Sequence, residues 1–146
     1  MIKSLDHINI VVSDLQKAKT FFVQLGFTEV ISSRLSGEQF TLVTGLPHID
    51  AEFIGLSLSG STTKIELIQY FSPPGGRDPE LSKANQVGFR HIAFAVDDIE
   101  AEVDRLKAKG VEIRSNIQVW EKTGKKLVYF YGPDGILLEF AQYPKP

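Results

Sequence analysis

The sequence predicts an α+β fold made of two βαβββ modules in tandem, a mixed sheet with helices on the outside. Three observations predict it. The stretch "LDHINIVVSDLQKAKTFFVQLG" from Leu5 is answered by "FRHIAFAVDDIEAEVDRLKAKG" from Phe89. Setting His7 over His91 aligns Ile8 with Ile92, Val12 with Val96, Leu15 with Ile99 and Gly26 with Gly110. The two halves also close alike, on "ELIQY" from Glu66 and "EFAQY" from Glu139. A repeat of this kind constrains the whole architecture, because each copy must build the same supersecondary unit.

Each copy begins with alternating, β-prone residues, "LDHINIVV" and "FRHIAFAV". A capping residue follows, Ser13 or Asp14 in the first copy and Asp97 or Asp98 in the second. A helical pattern comes next, with Leu15, Ala18, Phe22 and Leu25 on one face, and Ile99, Val103 and Leu106 in the partner. Each helix ends on a glycine, which accepts the left-handed stop. Strands then follow: "TEVIS", "QFTLV", "EFIGLSL" and "TKIELIQY" in the first half, the last two joined by a Ser-Gly-Ser turn. The second half offers "EIRSN", "KLVYFY" and "ILLEFAQY", the last two joined by "GPDG", which has the proline and glycine positions of a type I turn. The Pro- and Gly-rich "FSPPGGRDPELSKANQVG" between the halves reads as a linker. The expected organisation is one domain over 1–146, with a module at 1–70, a linker at 71–88 and a module at 89–143. Each module is too small to cover both faces of its own sheet, so the two are expected to pack or join.

Composition excludes several classes of function. With 16 basic and 18 acidic residues, net charge −2 and no run of like charges, nothing points to nucleic acid or an anionic membrane. No apolar run approaches a membrane span, and the start "MIKSLDHINIVV" lacks the pattern of a signal peptide. There is no cysteine, so no disulfide framework is possible. The expected location is the cytoplasm.

Alternation along the strands singles out four side chains. Ile8, Ile10 and Val12 share the face that packs on the helix, and His7, Asn9 and Val11 share the other. In the partner copy Ile92, Phe94 and Val96 pack, leaving His91, Ala93 and Ala95 opposite. Ile65 and Leu67 pack while Glu66, Ile68 and Tyr70 point away; Leu138 and Phe140 pack while Glu139 and Ala141 point away. Each module thus sets one His and one Glu on its non-helical face. Taken singly, each is what a solvated strand face shows. Taken together, His7, Glu66, His91 and Glu139 are a divalent-metal set, because imidazole suits Zn, Ni, Co or Fe and carboxylate adds hard oxygen.

These same segments, with "TKIELIQY" and "GPDGILLEFAQY", resemble the vicinal-oxygen-chelate superfamily of glyoxalase I, methylmalonyl-CoA epimerase, extradiol dioxygenases and bleomycin and fosfomycin resistance proteins. The resemblance covers nearly the whole chain. It implies that the paired modules curl into a cup around one divalent ion (Zn, Ni, Co, Mn or Fe), and its ligand positions fall on His7, Glu66, His91 and Glu139. It also implies a homodimer, in some relatives with a cup built from two chains. A His-Glu-His-Glu set looks more like the glyoxalase and epimerase branch than the dioxygenases, which use two His and one Glu. The implied enzyme is an isomerase or lyase that moves a proton next to the carbonyl of a small-molecule carbonyl or acyl-thioester substrate. Glu139 would be ligand and base, and Glu66 a proton donor on the other side. Glyoxalase I relatives carry an arginine four residues after the first histidine, where this chain has Val11, which weakens a glutathione substrate. The endings resemble the epimerase more. Lactoylglutathione lyase, and a small-molecule binding or resistance protein without catalysis, are the alternatives. A second base of the epimerase type would fall on Glu52, but its parity with Ile54, Leu56 and Leu58 puts it on the helical side unless a bulge turns it. His48 has no repeat partner and reads as a surface-loop residue. Trp120 and "EKTGKK" read as a long connection, and Arg34, Arg77, Lys125 and Lys126 as cations that would suit an anionic tail.

Overall fold

The first strand of each repeat lies parallel to the last strand of its own module, which is what makes a mixed sheet out of four consecutive strands. In the computed structural model, which describes residues 1–145, the chain divides into two units, Met1–Arg77 and the chain from Asp78 onward. The first unit runs β1 (His7–Val11), α1 (Leu15–Gln24), β2 (Thr28–Ser36), α2 (Glu38–Thr44), β3 (Asp50–Ser57) and β4 (Lys64–Ser72). Its sheet has the order β1-β4-β3-β2, with β1 parallel to β4 and the other pairs antiparallel. The second unit runs β5 (His91–Ala95), α3 (Ile99–Ala108), β6 (Gln118–Trp120), β7 (Lys125–Tyr131) and β8 (Leu137–Gln142). Its sheet repeats the pattern in the order β5-β8-β7-β6, again with the outer pair β5 and β8 parallel.

Both helices that follow a first strand bury the stripe their spacing predicts. Leu15, Ala18 and Phe22 of α1 are buried, as are Ile54, Leu56, Ile65 and Leu67 of β3 and β4, the strands that α1 contacts, and Ile99, Val103 and Leu106 of α3 are equally buried. A large apolar side chain fully buried contributes roughly 1.5–3 kcal/mol, so these stripes hold each helix on its sheet. Gly26 and Gly110, at φ +98° and +78°, end the two helices in the left-handed region as expected.

The N-termini explain why the repeat extends to the last strand. Asp14 and Asp98 cap the helices by accepting hydrogen bonds from the N–H of Lys17 and Ala101. The first helical N–H, however, is satisfied from the sheet. Leu15 N–H donates to Gln69 Oε1 at 2.9 Å, and Ile99 N–H donates to Gln142 Oε1 at 2.8 Å. The glutamine shared by "ELIQY" and "EFAQY" therefore ties the last strand of each module to the start of its helix.

Three expectations are corrected. The segment "QFTLV" is not a strand but lies in the short helix α2, flanked by Gly37 and Gly45 with φ +98° and +71°. Strand β2 already runs to Ser36 opposite Asp50, the first residue of β3, so the ladder has no place left for the residues that follow. "EIRSN" contributes only a single bridge, Ile113 to Phe130, and the fourth strand of that sheet is β6, in what the sequence presents as a connection. The "GPDG" turn is not type I: Asp134 sits at φ +56°, whereas a type I turn keeps both central residues at negative φ. Aspartate is among the few residues that tolerate this region.

Candidate metal centre

Strand register brings each His and Glu of the repeat together within its own module. Asn9 lies opposite Glu66 and Ala93 opposite Glu139, so each histidine, two residues earlier on the first strand, stands on the same face as its glutamate. His7 Nε2 lies 3.4 Å from Glu66 Oε2, and His91 Nε2 lies 3.1 Å from Glu139 Oε2. Two chemically equivalent pairs thus arise from two copies of one register.

The pairs differ in their surroundings. In the first, the other ring nitrogen of His7, Nδ1, is 2.8 Å from Asp6 Oδ2. That hydrogen bond holds the Asp6 carboxyl below its ordinary range. A carboxylate on the second nitrogen of an imidazole fixes ring orientation and makes the first a better donor. This pair is open, with the side chains of His7 and Glu66 41% and 28% exposed.

In the second module Glu139 is 3% exposed, the one buried charged or polar residue of the described core. The alternative of a solvated sheet-face carboxylate does not hold for it, because β8 is buried on both faces from Leu137 to Ala141. A carboxylate so placed needs partners. His91 faces one oxygen, and Lys125 Nζ reaches the other, Oε1, at 2.7 Å. The hydrogen bond to Glu139 raises the Lys125 ammonium above its ordinary pKa, against the opposing effect of burial. The His91 ring rests against Tyr129, with centroids 5.1 Å apart. Register accounts for this cluster: Tyr129 lies opposite Glu139 and Trp120 opposite Lys125, so all project on the face away from α3. Alternation marks that face, whereas the sequence presents Lys125 as one of the cations that would suit an anionic tail, and here it is bound to Glu139 instead. Its partnership depends on the β7–β8 register, which no local signal prescribes.

The other candidates lie elsewhere. Glu52 pairs with Arg34 on the helical face of the first sheet, beside a groove of about 290 Å³ that also touches Leu15, Gln16 and Lys19 of α1. The only irregularity near it falls between Asp50 and Ala51, and from Glu52 onward the β3–β4 register is regular, so no bulge turns this carboxylate toward Glu66. Arg34 is itself held by Asp50 through paired 2.7 Å bonds. Lys126 points to the helix side and pairs with Glu100 of α3. His48 is exposed in a loop with φ +52°. Val11 is 51% exposed on the His7 face.

Whether a divalent ion suits these residues rests on donor chemistry. Each module offers an imidazole Nε2 directed at a carboxylate oxygen, and imidazole with carboxylate is a donor set for Zn, Ni, Co, Mn or Fe. Among the described residues, no three His, Cys, Asp or Glu side chains gather as a metal-holding group. Within each module the pair supplies two donors.

Comparison with known proteins agrees with this reading of the fold. The profile of the glyoxalase/bleomycin resistance protein/dioxygenase superfamily matches residues 4–140. The chain is 35% identical to the uncharacterized protein YwkD of Bacillus subtilis over 143 residues, 97% of this chain and 98% of that one. It is 30% identical to human mitochondrial methylmalonyl-CoA epimerase over 94% of this chain and 73% of that protein. The crystal structure of a glyoxalase family protein from Bacillus cereus superposes with a TM-score of 0.91 at 28% identity, covering 99% of this chain and 97% of that one. With its paired βαβββ modules and a match over nearly its full length, the chain belongs to the glyoxalase/bleomycin resistance protein/dioxygenase superfamily.

Proposed function

We propose that the protein is a divalent-metal-dependent isomerase or lyase that moves a proton on the carbon next to a carbonyl or thioester. The observation that carries this reading is the duplicated His–Glu pair, with the Glu139 carboxylate buried against His91 Nε2 at 3.1 Å and echoed by His7 and Glu66 at 3.4 Å. A solvated polar face would not need a buried glutamate, and Glu139 is buried. His7 with Glu66, and His91 with Glu139, are the donors that would hold metal. An ion held there would polarise the substrate carbonyl and so ease removal of the neighbouring proton.

The chain's own groups do the rest. Glu139 accepts the proton, because an ionised carboxylate is acceptor-only and this one is fixed by His91 and Lys125. Glu66, more open to solvent, returns a proton. Burial around Glu139, with Tyr129 packed on His91, keeps bulk water from competing for the transferred proton. The likeness to the human epimerase supports a thioester over a glutathione adduct, as does Val11 where glyoxalase I relatives have arginine.

The test has two arms. Metal content is measured on the purified protein and on His91→Ala and His7→Ala; the expectation is about one ion per chain, with most of it lost in each variant. His48→Ala serves as a control and keeps its metal. The loaded protein is then incubated in deuterium oxide with methylmalonyl-CoA, and separately with methylglyoxal and glutathione. Deuterium entering the thioester carbon supports the proposal. Rapid lactoylglutathione formation without that exchange would assign the chain to the glyoxalase I branch.

A further inference from the structure

We propose that Arg90 is an oxyanion-binding residue, its guanidinium placed for the carboxylate or phosphate group of a small ligand. The inference stands apart from the metal reading and concerns a residue that reading does not use. Three observations carry it. The Nε and Nη1 atoms of Arg90 are buried yet make no hydrogen bond, and among the described residues no other buried side-chain nitrogen or oxygen is left so. The carboxylates nearest along the chain are turned to other partners: Asp78 accepts from the N–H of Glu80 at 2.9 Å, and Glu80 pairs with Lys83 and accepts from Gln86 at 3.3 Å. Glu139 is taken by His91 and Lys125. Finally, Nη2 lies beside Gly88, whose φ of +124° suits glycine; a Cβ there would stand 3.8 Å from Nη2, so the bare backbone leaves that nitrogen uncrowded.

Arginine stays charged throughout the physiological pH range and offers donors but no acceptor, so it cannot escape the problem by losing its proton. Two of its nitrogens held away from water without a partner destabilise the ligand-free protein, and an anion that pairs with them removes that penalty. The residue as a whole is only half-buried, so an anion has a side from which to approach. Carboxylate and phosphate both present paired oxygens that match the guanidinium fork, and such charge-assisted bonds are about twice as strong as neutral ones. Val87 and Phe89, on either side of Gly88, are exposed and offer apolar surface to the carbon part of such a ligand.

The test separates a ligand-binding cation from a structural one. Wild type, Arg90→Met and Arg105→Met are unfolded thermally with and without inorganic phosphate or malonate, at an ionic strength held constant with chloride so that screening is equal. Arg105 pairs with Glu102 on α3, so its replacement makes the same change of charge at a cation that already has its partner. Arg90→Met, similar in length but uncharged, should melt higher than wild type when no anion is added, because it removes an unpaired buried cation. Phosphate, malonate or both, at several times the Kd, should raise the melting temperature of wild type and of Arg105→Met by about 2–4 °C and leave Arg90→Met unmoved. The Nε–H signal of Arg90 in the NMR spectrum, identified by its absence from Arg90→Met, should shift over the same concentrations. A response to only one of the two anions supports the inference and names the group the site takes. Arg90→Met melting below wild type without anion would make the residue structural and overturn the inference. Equal anion responses in wild type and Arg90→Met overturn it too, as does a wild type that responds to neither anion. None of these outcomes bears on metal binding by His91 and Glu139.

Discussion

Replacing Gln142 with alanine removes a hydrogen bond whose loss water cannot easily repair. The Gln142 side chain accepts from Ile99 N–H at 2.8 Å, and Ile99 is 0% exposed at the first position of α3. The first N–H groups of a helix have no partner within it, so this donor depends on an outside acceptor. Truncation forfeits a hydrogen bond and strands a buried donor, which costs about 2 kcal/mol. The comparison variant is Asp98→Ala, whose side chain caps Ala101 N–H at an exposed position where water can substitute. Losing such a cap costs about 1 kcal/mol. For a chain of this size the glutamine variant should melt roughly 4–8 °C lower and the aspartate variant roughly half as much. Thermal unfolding followed by circular dichroism gives the order, and amide exchange at Ile99 locates the effect, since its N–H should lose protection. If Gln142→Ala melts no lower than Asp98→Ala, or if Ile99 exchange is unchanged, the sheet-to-helix tie is not what the repeated glutamine is for.

Further outcomes follow from the same structure. The equivalent change in the first module, Gln69→Ala, should strip protection from Leu15 N–H and lower the melting temperature by a similar amount; an unaffected Leu15 amide would deny the equivalence of the two copies. Phe22→Ala, at a fully buried site on α1, should cost about 3–5 kcal/mol in chemical denaturation through lost burial and the cavity left behind; a loss below about 1 kcal/mol would mean the site collapses freely. Gly55→Val should destabilise the first sheet, since even a Cβ there would come within 2.6 Å of the Ile31 side chain; an unchanged melting temperature would show that Ile31 moves aside at no cost. Glu139→Gln should keep part of its metal through the amide oxygen yet lose proton exchange, because an amide is no base. Undiminished turnover of a confirmed substrate would remove Glu139 from that role.

Period and repeat determined much of this protein without any coordinates. Alternation assigns His7, Glu66, His91 and Glu139 to the faces away from the helices, and the strands pair as that assignment requires. The apolar stripe from Leu15 to Phe22 and its partner from Ile99 to Leu106 mark two helices, and both lie buried. These features are local: they depend on the pitch of a helix, the pleat of a strand and the tolerance of glycine for positive φ. Tertiary structure decided what local rules leave open. "QFTLV" alternates like a strand yet lies in a helix, because β2 had already filled the edge of β3. Glu139 and Lys125, fourteen residues apart, meet only through the register that the left-handed Asp134 turn gives to β7 and β8. The repeated glutamine shows in the sequence, but its partner, a backbone N–H at the far end of the module, does not. Alternation fixes the face on which a side chain stands; only the pairing of distant strands fixes which side chain it meets there.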